Sequence, residues 1–67
     1  MKTTLNLYVM QFDEGHYSLP FAALNDHFAS MAVNDMPEAK GCSLWRVGTF
    51  DTVKGSVKGR AHMHKVM

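Results

Sequence analysis

The chain has 67 residues, enough for one domain and too few for two. Hydrophobic residues make up 46% and charged residues 19%, the balance of a folded globular chain and not of a disordered one. The formal net charge is only +1, and the single cysteine, Cys42, excludes an internal disulfide framework and any multi-cysteine zinc centre, and points to a reducing compartment.

The longest stretch without a charge or a breaker runs from Thr3 to Phe12, far below the roughly 18 apolar residues of a membrane span, so no transmembrane segment and no membrane partner are expected. Behind Met1-Lys2-Thr3-Thr4 there is no apolar h-region or cleavage site, so a secretory signal is not expected either. A chain this short buries only about 60% of the surface its unfolded form exposes. With no disulfide staple, a partner subunit is the simplest way to bury more, and a homodimer is expected.

Thr3 to Phe12 reads as a strand, with Leu5, Leu7 and Val9 on one face and Tyr8, Met10 and Phe12 on the other. Asp13-Glu14-Gly15-His16 is a polar turn, and Tyr17 to Leu19 continue as a short extended piece before Pro20. Phe21, Leu24, Phe28, Met31 and Ala32 recur at helical spacing and predict one apolar helix face. Two starts fit: Ser18 with Pro20 just inside, or Asn25 followed by Asp26 in the first turn. The second is favoured, with Phe21 to Ala23 extended. Asn34, Asp35 and Pro37 end the helix, and Met36 to Gly41 form a loop.

Ser43 to Phe50 is the next strand, with Ser43, Trp45, Val47 and Thr49 on one face and Leu44, Arg46, Gly48 and Phe50 on the other. Asp51 to Gly55 reads as a hairpin link with a type I turn and a bulge. Ser56 to His64 returns as the third strand, with Val57, Gly59, Ala61 and Met63 alternating against Lys58, Arg60, His62 and His64. Met31 and Met63 fit core positions. The order strand, helix, strand, strand predicts an α+β fold in two layers: an antiparallel three-stranded sheet with one helix packed on one face, residues 1–67 forming a single small domain.

Charge is distributed unevenly. Met1 to Asp51 carry Lys2, Lys40 and Arg46 against six acids and sum to −3, whereas Thr52 to Met67 carry Lys54, Lys58, Arg60 and Lys65 with no acid and sum to +4. A basic segment of this kind suggests a polyanionic partner; the competing reading is a solvated strand with nothing bound.

The remaining residues point away from catalysis. Cys42 follows Gly41 with no helix N-terminus behind it to lower its pKa, and reads as a small apolar filler. His62 and His64 share a strand face at a spacing that can hold a metal, but no third ligand is specified, so no metal or cofactor is expected. Asp13 and Glu14 are neighbours in a turn and face water, and no Gly-rich phosphate loop is present. No nucleophile is paired with a base, so the chain is not expected to be an enzyme.

The constellation left is basic and aromatic: Arg46, Lys54, Lys58, Arg60, His62 and Lys65, with Trp45 and Phe50 as ring candidates. Spaced cations that follow phosphates, with rings that stack bases, are how single-strand binders work. For Trp45 the competing reading is core packing. The alternative function is a small protein-interaction module acting by strand addition or dimerisation, without nucleic acid.

Two segments carry a resemblance. One runs from Pro20-Phe21-Ala22-Ala23-Leu24-Asn25-Asp26-His27-Phe28-Ala29 to Val33-Asn34-Asp35; the other is Leu44-Trp45-Arg46-Val47-Gly48-Thr49-Phe50-Asp51, with Gly55 four places on. Together they resemble the small non-structural protein of gokushoviruses, single-stranded DNA bacteriophages of the microvirus group, whose members join a "PF-A-ND" opening of a helix ending in "VND" to a later "L-x-x-V/L-G-x-F-D" strand. The chain departs from that pattern in its shorter segment from Met36 to Ser43 and in Ser30, where members often carry an Arg. The resemblance implies a non-enzymatic protein acting in the host cytoplasm, binding single-stranded DNA during genome replication or packaging.

Overall fold

The computed structural model describes residues 4–36 and 41–67. Strands β1 (Thr4–Asp13), β2 (His16–Tyr17) and β3 (Phe21–Ala23) precede helix α1 (Asp26–Asn34), and strands β4 (Ser43–Asp51) and β5 (Ser56–Lys65) follow it. The class is α+β, with an antiparallel sheet and one helix among the described residues. The sheet runs β2-β1-β4-β5, and β3 pairs with β1 on the side away from β4. The three expected strands form its body, but the sheet has five strands in the described residues, because the chain after β1 keeps pairing back onto it. Gly15, at φ +86°, supplies the left-handed turn residue that starts this return. Ser18 then fastens to Met10 twice: its N–H donates to the Met10 carbonyl at 2.8 Å, and its Oγ accepts from the Met10 N–H at 2.9 Å.

The expected loop from Met36 to Gly41 falls, for positions 37–40, outside the described residues, as does the expected strand start at Thr3. The helix begins where Asn25 caps it: the side chain accepts the Phe28 N–H at 3.0 Å from an extended backbone at φ −158°. Its end is closed by the Asp35 N–H donating to Met31 at 3.1 Å.

The helix face facing the sheet is not the expected one. Ala29 and Val33 are buried, whereas Leu24, Phe28, Met31 and Ala32 face solvent and Phe21 belongs to β3. Tyr8 and Leu44 are fully buried and already fill the sheet surface under α1. Only short side chains on the facing side let the helix come close to them, and a bulky row there would hold it off. The core cluster is Tyr8, Met10, Ala29, Val33 and Leu44, with Phe21, Ala23, Met36, Cys42 and Val66 packed against it. Cys42 therefore has the filler role expected of it, while Met31 and Met63 are exposed and Met10 takes a core place instead.

Two register shifts decide which residues share a face. Leu7 pairs with Gly48 but Tyr8 with Arg46, leaving Val47 as a surplus residue in β4. The expected alternation of β4 thus reverses at Val47. Paired residues in neighbouring strands share a face. Leu44, Arg46 and Thr49 lie on the helix side with Met10, Tyr8 and Asn6, and Ser43, Trp45, Gly48 and Phe50 lie on the back with Gln11, Val9, Leu7 and Leu5. On β5, Gly59 pairs with Gly48 and His64 with Arg46, so residues 60–63 face the single residue Val47.

Candidate nucleic-acid interface

The β4–β5 link carries the first cation. Gly55 stands at φ +70° and donates its N–H to the Asp51 carbonyl at 2.8 Å, closing the turn. The Asp51 carboxylate accepts the N–H groups of Val53 and Lys54 at 2.9 and 3.0 Å. Asp51 thereby stiffens the turn through backbone contacts, and the Lys54 side chain is exposed at its tip.

Beyond the turn, residues 56–60 and 62–65 of β5 are exposed, and the strand lies at the end of the sheet. Lys58 pairs with Thr49 and His64 with Arg46, both on the helix side. Lys65 pairs with Trp45, and Val57 with Phe50, both on the back. The alternation read from the sequence therefore survives the irregular middle of the strand. Thr49, Lys58, Gly59 and Arg60 line an open depression of about 410 Å³. Neither Lys58 nor Arg60 has an ion-pair partner among the described residues. Arg60 and His62 both fall in the surplus stretch opposite Val47 and are exposed.

Arg46 is not part of this surface. Its Nη1 donates to both carboxylate oxygens of Asp26, at 3.1 and 3.2 Å, and its side chain is 24% exposed. Tyr8 donates to the same Asp26 at 2.6 Å, and the Asn6 amide donates to the Tyr8 hydroxyl at 3.1 Å. The cluster clamps the first residue of α1 to the centre of the sheet. Burial, and then the hydrogen bond to Asp26, push the Tyr8 hydroxyl above the ordinary tyrosine pKa of 10.0. The guanidinium expected to meet phosphate is here engaged by a carboxylate. The sequence hides this contact, since Asp26 and Arg46 are twenty residues apart and meet only through sheet and helix packing.

The two ring candidates are brought together, on the back of the sheet. Trp45 is half-buried, and its Nε1–H donates to Gln11 Oε1 at 2.9 Å, which fixes the ring. Phe50 lies on the same face, flanked by Leu5 and Val57. Lys65 is the cation whose pairing sets it beside Trp45. The reversal at Val47 thus separates Phe50 from Arg46 and unites it with Trp45, the opposite of the expected grouping.

Elsewhere, Asp13 and His16 form an exposed ion pair across the β1–β2 turn. No group of three metal-ligating side chains comes together among the described residues, and no helix there is long and apolar enough to cross a membrane. No family model, no curated protein and no solved structure matches the chain.

Proposed function

We propose that this is a phage non-structural protein that binds single-stranded DNA through β5 and the back of the sheet. The observation that carries the reading is the depression lined by Lys58 and Arg60, two cations with no acidic partner among the described residues, beside Thr49 at an exposed strand. Lys54 at the turn and Lys65 on the back face of the same strand add two further cations for the anionic backbone, and no acid lies between Thr52 and Met67 to oppose them. Trp45, beside Lys65, and Phe50, beside Val57, share the back face and offer rings to unpaired bases. The likeness of the Pro20–Asp35 and Leu44–Asp51 segments to gokushovirus small non-structural proteins supports a role on the phage genome, in replication or packaging.

The test is fluorescence anisotropy with labelled single-stranded and duplex oligonucleotides across a salt series. Tighter binding to the single strand, lost in a Lys58→Glu/Arg60→Glu variant that keeps its circular dichroism, is the expected result. Binding that survives this double substitution would remove β5 as the site, and no binding at low salt would end the reading.

A further inference from the structure

The cations of β5 stand on both faces of the sheet. Lys58 pairs with Thr49 on the helix side, and Arg60 lines the same depression. Lys65 pairs with Trp45 on the back. None of the three has an ion-pair partner among the described residues. In the sheet path β5 neighbours β4 alone, so its outer side is the short way from one face to the other. We infer that a bound polynucleotide crosses the sheet edge over the outer side of β5, near residues 60–63. Its phosphates meet Lys58 and Arg60 on the helix side and Lys65 on the back, where a base stacks on Trp45. The path presupposes the nucleic-acid reading and narrows its ligand to a flexible, unpaired strand.

Charge, stiffness and ring placement support this path. A polyanion gains from each cation it neutralises, and a ligand confined to one face would leave either the Lys58–Arg60 pair or Lys65 without a phosphate. No acid between Thr52 and Met67 repels it along the way. From Lys58 to Lys65 the strand advances at most about 23 Å, at roughly 3.3 Å per residue. A duplex stays straight over about 500 Å, so it rests on one face and forgoes the cations of the other. A single strand has no such stiffness and can turn at the edge. At the turning point, residues 60–63 lie opposite the single residue Val47, and Arg60 and His62 are exposed there. A surplus stretch of this kind bends its strand and re-aims its side chains. On the back, Gln11 holds the Trp45 ring through Nε1–H at 2.9 Å, so little ordering is left for a base to impose. Lys65 beside it supplies the phosphate contact that accompanies the stacked base.

Trp45 is the only tryptophan, so intrinsic fluorescence reports a base on its ring. The ligands are a deoxythymidine strand of about twelve nucleotides, its abasic counterpart of equal length, and a duplex of the same length, a size within the usual span of small single-strand modules. The deoxythymidine strand is expected to quench Trp45 in step with its anisotropy curve. The abasic strand carries the same phosphates and is expected to bind about tenfold more weakly, without quenching. Lys65→Gln is expected to reduce the slope of log affinity against log salt by about 0.7 for the single strand and to leave duplex binding unchanged, whereas Lys58→Gln weakens both. Trp45→Leu is expected to lose about tenfold on the deoxythymidine strand and nothing on the abasic one. Should that variant fail to fold, the quench and the abasic comparison decide the same point on the wild-type chain. A deoxythymidine strand that binds without quenching would overturn the path, as would an abasic strand that binds as tightly. So would a Lys65→Gln variant with an unchanged slope, or one that weakens duplex and single strand alike. Each of those outcomes leaves β5 as a nucleic-acid site, whereas no binding to any strand at low salt ends both readings.

Discussion

At the scale of single residues, two glycines that pair with one another across β4 and β5 have unlike duties. A Cβ on Gly48 would lie 2.4 Å from the Lys58 carbonyl oxygen, inside the backbone of the neighbouring strand. A Cβ on Gly59 would meet nothing within 4 Å. Gly48→Ala is therefore expected to cost about 1–3 kcal/mol in urea unfolding, since β5 must be pushed off its path. Gly59→Ala is expected to be neutral, or to gain up to about 0.5–1 kcal/mol from a less flexible unfolded chain. Tyr8 gives a second contrast. Its folded form keeps its proton to higher pH than the unfolded chain does, so its contribution is complete below pH 10.0 and is lost as pH rises above it. Tyr8→Phe is expected to lower stability by about 1.5 kcal/mol at neutral pH, the net worth of a hydrogen bond to a charged group. Above pH 10.0 the gap between variant and wild type should narrow, and denaturant titrations between neutral and alkaline pH measure it.

At the scale of elements, the sequence makes some features plain and conceals others for identifiable reasons. The bodies of β1 and β4 announce themselves through apolar, aromatic and β-branched runs, and β5 through its alternation of small or apolar with basic residues. Of the two helix starts that fit the sequence, the favoured one at Asn25 is the one formed, because its cap is a local event between Asn25 and Phe28. Asn25→Ala should therefore cost about 1 kcal/mol in thermal or urea unfolding, the usual penalty for losing such a cap. The helix face was hidden, because the bulkiest apolar side chains of α1, Phe28 and Met31, are exposed and the buried row is the modest pair Ala29 and Val33. Periodicity locates an apolar face but does not say which of two will meet the sheet. The grouping of Trp45 with Phe50 was hidden by Val47, since one surplus residue exchanges the faces of every residue after it. The cations of β5 needed no such knowledge, as Lys58 and His64 hold to their alternation on both sides of the irregular stretch. Arg46 is the candidate that the fold pairs with an acid, Asp26, far from it in sequence.

At the scale of the whole molecule, the two halves of the charge distribution fall on different structures. The acidic segment contributes the clamp of Asp26 on Arg46 and the turn-stiffening carboxylate of Asp51, and the basic segment is the link and β5. With Arg46 committed, Lys54, Lys58, Arg60 and Lys65 remain for phosphates. Four contacts to a single strand imply a slope of log affinity against log salt of about −3, or a loss of about fifty-fold between 50 and 200 mM salt. Replacing Lys58 and Arg60 by Gln should reduce that slope to about −1.4.

The uneven middle of β5 has a consequence for how the protein behaves when crowded. A long strand at the rim of a sheet is a template on which further copies can add, one upon another, into fibres. Here the regular register with β4 covers only 56–59 and 64–65, and the stretch between them follows no simple ladder. An arriving strand finds two short segments instead of ten matched residues, and a second β5 would bring Lys58 and Arg60 against their own kind. The same irregularity and the same cations that set β5 apart thus cap the sheet against growth.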